Sequence, residues 1–155
     1  MEQSTKPISD AVFQYSGAIL SQDDIDITSN YTAHQLLQKL AASELTAVAV
    51  TQAFSRRATI AHQLTNCLTE TFFDLAIERA KFLDSYLQKE GKPFGPLHGL
   101  PISIKDTFQV QNVDTTIGYV SFIDKPPATV NSAMVQILLD LGAILYVKTN
   151  IPQTQ

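Results

Sequence analysis

The sequence holds 155 residues, 45% of them hydrophobic and 17% charged, with a formal net charge of −4. This is the length of one domain or part of one, with enough apolar content for a sizeable core. A negative balance with no basic run argues against a nucleic-acid partner. The single cysteine, Cys67, excludes an intrachain disulfide framework and a cysteine-rich metal site. No window approaches the ~18 consecutive apolar residues of a membrane span. The N-terminus has no basic region ahead of an apolar core, so it does not read as a secretory signal, and the expected location is the cytoplasm.

Residues 1–30 read as a polar N-terminal arm with a short helical turn around Ala11 to Tyr15, and residues 31–155 as the folded unit. The arm ends in Asp23-Asp24-Ile25-Asp26, a solvated acidic face, since a metal-binding loop needs a denser and more regular oxygen pattern. Thr32 is a candidate N-cap for a helix over 33–42, with Leu36, Leu37 and Leu40 inward. Thr46 caps a second helix over 46–62, with Val50, Phe54 and Ala58 one turn apart and Arg56-Arg57 on the solvated side. Residues 65–70 fit a strand in which Cys67 is a small buried apolar residue rather than a nucleophile. A helix follows over 72–89, with Leu75, Ala76, Ala80, Leu83 and Leu87 on one side and Glu78, Arg79 and Lys81 on the other. His34, His62 and His98 are scattered, and no metal site is expected.

The stretch Gly95 to Phe108, GPLHGLPISIKDTF, is where the chemistry gathers. Gly95, Pro96, Gly99 and Pro101 punctuate an irregular loop. Ile102-Ser103-Ile104 alternates as a short strand over 101–105, and Lys105-Asp106 stands where that strand ends. A lysine at the end of a buried strand would have its charged form disfavoured by desolvation and could act as a general base. The residues alone leave open the alternative of an ordinary surface lysine, which is the commoner environment. Ser103 lies two residues before Lys105 on the same face, within reach of it, but nothing marks an oxyanion site and it is not taken as a nucleophile.

Beyond the motif, Thr115-Thr116-Ile117-Gly118 reads as a hydroxyl-rich turn, and Lys125 to Thr129 as a loop. A helix over 130–141 ends at Gly142, a residue suited to the left-handed C′ position, and a strand over 143–147 runs into Lys148-Thr149-Asn150.

Pro96-Leu97-His98-Gly99-Leu100-Pro101, an apolar run and Lys105-Asp106 resemble the core motif of the amidase signature family. The Thr-Thr-x-Gly segment, the helix–glycine–strand–Lys-Thr-Asn order and the Ile-Pro-Gln ending are similar to its fungal, acetamidase-like members. The resemblance implies an α/β/α fold around a mixed sheet, of which this chain would carry the first part. It implies that Lys105 is the general base of a Ser–cis-Ser–Lys triad that hydrolyses a small-molecule amide, with no cofactor and no metal. It places the Thr115–Gly118 segment close to the catalytic core, and it assigns no substrate-binding residue here.

The family's Gly-Gly-Ser-rich segment, which supplies both serines and the oxyanion-hole amides, lies further downstream than Gln155. The chain alone is therefore expected to be inactive. The alternative is a short, non-catalytic paralogue acting as a binding or interaction domain. Without later strands to flank it, Ala143 to Val147 is the expected seat of self-association.

Overall fold

The computed structural model describes residues 19–152; the helical turn read at Ala11 to Tyr15 lies outside them. The first element among the described residues is a helix that the polar reading of the arm missed. Helix α1, Gln22–Ser29, opens on a capping box in which the Ser21 hydroxyl and the Asp24 carboxylate each accept the other's backbone N–H. Its apolar content is low, so periodicity gave no signal. Asp24 is buried rather than solvated, because the Arg56 guanidinium reaches across to it, with Nε 3.0 Å from one carboxylate oxygen. Arg57 donates to the Thr28 and Ser29 hydroxyls of the same helix, so both arginines placed on the solvated side of the next long helix are inter-helix tethers.

Helix α2, Ala33–Ala41, starts at Thr32 and helix α3, Ala47–Thr65, at Thr46, each threonine hydroxyl accepting an N–H of the first turn. The start of α3 is also held from a distance, since the Asp84 carboxylate accepts the N–H groups of Ala47 and Val48. Helix α3 runs on to Thr65 and stops at Asn66 in the left-handed conformation. Strand β1 accordingly begins at Leu68 and not at 65, leaving Cys67 half-buried between the two. Helix α4, Phe73–Glu90, ends at left-handed Gly91. Strand β2 is Pro101–Lys105, helix α5 Ala133–Asp140 and strand β3 Ile144–Thr149.

The sheet has three strands in the order β1-β3-β2, with β1 antiparallel and β2 parallel to β3. The parallel pair is the one joined through helix α5, as a crossover requires. Residues alternate between the faces of a strand, so β3 feeds two cores. Ile144 and Tyr146 pack with Leu36, Leu40, Val50, Ala80 and Leu83 from helices α2 to α4. Leu145 packs with Ile104, Val110, Val113 and Val135, which places α5 on the opposite face. Helices thus cover both sides of a small mixed sheet, an α/β architecture of the kind expected.

Two glycines dock the loop before β2 onto the turn before β3. A Cβ on Gly95 would stand 2.5 Å from the Leu141 carbonyl oxygen, and Gly142 holds φ +94° against the backbone of His98. That approach lets Leu97 N–H donate to the Leu141 carbonyl and Gly99 N–H to the Gly142 carbonyl. Strand β3 lies at the centre of the sheet, and Ala143 to Val147 are buried. The unflanked strand on which the expected self-association rests is not found: strand β2 covers one side of β3 and β1 the other. The outer strands among the described residues are β1 and β2.

Candidate active site

The carboxyl ends of β2 and β3 lie side by side, Lys105 opposite Thr149 and Ile104 opposite Lys148. Alternation turns Ile104 into the core and leaves Ser103 and Lys105 exposed on the other side of this outer strand. The low-dielectric setting expected for Lys105 is thus not built by the residues described; its amine is open to solvent. The buried lysine is its neighbour on β3. Lys148 has no exposed surface and forms an ion pair with Asp106 at 2.8 Å. Its ammonium also donates to the Asp114 carbonyl and to the Thr115 hydroxyl, each at 2.7 Å. Two of the three N–H donors of the ammonium are thus hydrogen-bonded, and its charge faces the Asp106 carboxylate.

Asp106 completes the arrangement. Its N–H donates to the Thr149 carbonyl, extending the β2–β3 pairing by one residue. Its second carboxylate oxygen accepts the Thr116 hydroxyl at 3.1 Å and the Ile117 N–H at 2.8 Å. The segment Asp114 to Gly118 is thereby folded onto the ends of both strands. Ile117 adopts φ +50°, a conformation that a β-branched side chain disfavours, and the hydrogen bond from its N–H to Asp106 is what holds it there. Glu70 lies opposite Lys148 in the β1–β3 register. Its carboxyl is pushed above the usual range by burial and by the nearby Asp114 carboxylate, with Lys148 pulling the other way.

The structure therefore brings Lys105, Asp106 and the Thr115–Gly118 turn to one end of the sheet, and Ser103 to the same face of β2 as Lys105. It adds Lys148, which the sequence reading passed over as a strand terminus. The signal was available: one lysine closes the otherwise uncharged run Ala143 to Val147. A cavity of about 190 Å³ borders the same turn, lined by Gln109, Thr115, Ile117, Phe122 and Lys125 among others, and Lys105 is not part of its wall. His98 lies at the other end of β2. It is buried, its Nδ1 accepts the Phe94 N–H at 3.1 Å, and burial pushes its pKa down. Among the described residues no group of three or more His, Cys, Asp or Glu is placed to hold a metal ion, and no helix is long and apolar enough to cross a membrane.

Comparison with known proteins agrees with this site's motif. The amidase family profile matches residues 49–155. The chain is 52% identical over 136 residues to an amidase of Gibberella moniliformis (strain M3125 / FGSC 7600), covering 88% of this chain and 26% of that protein. It is 46% identical over 152 residues to an acetamidase of Emericella nidulans, covering 97% of this chain and 27% of the relative. Among solved structures, a fatty acid amide hydrolase superposes with a TM-score of 0.84 at 40% identity, over 99% of this chain and 28% of its own. A peptide amidase from Stenotrophomonas maltophilia superposes with a TM-score of 0.72 at 26% identity, over 81% of this chain and 26% of its own. The chain spans about a quarter of the length of the curated relatives it matches. On the profile match, the motif and the shared fold together, the chain belongs to the amidase signature family.

Proposed function

We propose that this chain carries the general base of an amide hydrolase, and that the base is Lys105. In the reaction its neutral amine takes a proton from a bridging cis-serine, which takes one from the nucleophilic serine. The serine oxygen bonds to the amide carbonyl carbon, the C–N bond breaks, and the departing ammonia or amine carries away a proton. Water then releases the carboxylic acid from the acyl-enzyme. A lysine works as a base only in its neutral form, and excluding water from its amine favours that form.

The observation that carries the reading is the contrast between the two lysines at this end of the sheet. Lys148 is committed to fixed partners, an ion pair with Asp106 and hydrogen bonds to Asp114 and Thr115. Among the described residues Lys105 has no such ties, and it stands on a backbone that Asp106 holds in place. The substrate is a carboxylic amide, as the names of the relatives suggest for their own activities. On this reading these 155 residues alone give no turnover, because the oxyanion donors, worth ~3–4 kcal/mol for a single one, come in this family from the Gly-Gly-Ser-rich segment.

The test has two arms. Protein expressed from the full reading frame should release ammonia or an amine from simple amides. The 155-residue chain by itself should release none, and a fluorophosphonate should not label it stoichiometrically. Stoichiometric labelling at Ser103 would mean that the nucleophile has been mislocated. Absence of turnover from the full reading frame across a panel of amides would overturn the hydrolase reading.

A further inference from the structure

Lys148 is the one fully buried cation among the described residues, and the proposed chemistry makes no use of it. Burying an ammonium is costly unless it is paired and hydrogen-bonded, and an apolar side chain of similar volume often serves stability as well or better. Its contacts show what the charge does instead. They join β3, which bears the lysine, to two segments more than thirty residues earlier: Asp106, just after β2, and Asp114-Thr115, from the turn. Asp106 in turn holds Thr116 and Ile117 of the same turn. The contacts close into a ring, from Lys148 to Asp106, to Thr116 and Ile117, and back through Thr115 and Asp114 to Lys148.

We propose that Lys148 is a positioning residue, whose ammonium locks Asp106 and the Asp114–Gly118 turn into one geometry and so fixes the backbone from which Lys105 projects. The assignment rests on the reading of Lys105 as the base. Lys105 is the residue before Asp106, and Asp106 is held on two sides, by its N–H on Thr149 and by its carboxylate on the ring. Without the ammonium, Asp106 Oδ1 loses its partner and the Asp114 carbonyl loses its donor. The left-handed Ile117 then hangs from one end of a loosened carboxylate. The turn can relax while the sheet, whose own hydrogen bonds are untouched, stays formed.

Residue-resolved amide exchange and side-chain NMR on the 155-residue chain test this without recourse to activity, so the outcome is separable from the fate of the hydrolase reading. The Ile117 amide reports the ring, and the Ile144 amide, which donates to the Leu100 carbonyl, reports the sheet. In Lys148→Met the Ile117 amide should exchange at least tenfold faster and approach the rate of an open turn, while the Ile144 amide, though speeded by the loss of global stability, stays protected. Thr115→Val, which removes one acceptor and strands no charge, should accelerate Ile117 by a smaller factor. The Lys105 side-chain carbon resonance should shift in Lys148→Met, and that of Lys39, paired on the surface with Glu44, should not. If Lys148→Met does not fold, Thr115→Val decides on the same two amides. An unchanged Ile117 rate, loss of protection at both amides, or an unmoved Lys105 resonance in a folded Lys148→Met chain would overturn the proposal.

Discussion

Asp106 and Lys148 face each other at 2.8 Å with neither side chain exposed to solvent. Their partners are hydroxyls, backbone groups and each other, so neither charge can be removed alone without stranding the other. Lys148→Met should destabilise the chain by ~3–5 kcal/mol, the cost of leaving one buried charge unpaired. The double variant Asp106→Asn/Lys148→Met should recover more than half of that loss, since the neutral amide oxygen can still accept from the turn. Urea denaturation of the native chain and the two variants measures both.

The Asp24–Arg56 tether predicts an acid limb. The Arg56 guanidinium holds the Asp24 carboxyl below its ordinary value of 3.8, against the opposing effect of burial. A depressed folded value means that the unfolded chain binds the proton more readily. The stabilisation is therefore fully present above about pH 4 and lost as the pH falls through the folded value. Arg56 is half exposed and screened, so Asp24→Asn should cost only ~1 kcal/mol near neutrality. The difference from the native chain should vanish in acid; a difference that persists unchanged below about pH 3 would contradict the pairing.

His98 predicts a second, separate window. Burial pushes its pKa below the ordinary 6.5. The neutral ring is the native one, with Nδ1 accepting the Phe94 N–H. Its contribution is complete above about pH 6.5 and is lost as the pH falls towards the folded value. Glu70, whose carboxyl is raised, acts in the opposite sense, so the informative quantity is the difference between the native chain and His98→Asn. The urea midpoint of the native chain should fall relative to that of His98→Asn between about pH 7.5 and 5. Parallel pH profiles would contradict this.

Exposed apolar surface lies around the short 3-10 turn Val120–Phe122, where Val120 is 81% and Ile123 58% exposed. Surface of this kind promotes association, and so does the outer strand β2. Val120→Asp/Ile123→Lys should lower light scattering and hydrophobic-dye binding of the 155-residue chain without moving its melting temperature. An equal change in Val147→Ala, which touches only the buried central strand, would point back to β3.

Periodicity and caps made most of the fold legible. Thr32 and Thr46 start their helices, Gly142 ends α5 in the left-handed conformation, and β2 has the bounds its alternation predicts. Helix α1 was hidden because its start signal is a polar box, Ser21 with Asp24, and its packing depends on Arg56, 32 residues away. The position of β3 in the sheet was hidden for a related reason: strand order is a tertiary choice, and an apolar run fits an edge or a centre equally well. At the site, the motif named Lys105 and Asp106 and drew attention to the Thr115–Gly118 turn. It said nothing of which lysine is buried. Burial follows from strand order, which places Lys148 between two neighbours and Lys105 beside only one.

Of the two lysines at this end of the sheet, we propose Lys105 and not Lys148 as the base. The decisive quantity is the kcat/KM for amide hydrolysis by protein from the full reading frame, native against Lys105→Ala. We expect a loss of at least the ~10²–10⁴-fold that a general base contributes. Because Lys105 is exposed, folding stability should change by no more than ~0.5 kcal/mol. A Lys105→Ala protein that folds and turns over amides at the native rate would contradict the assignment.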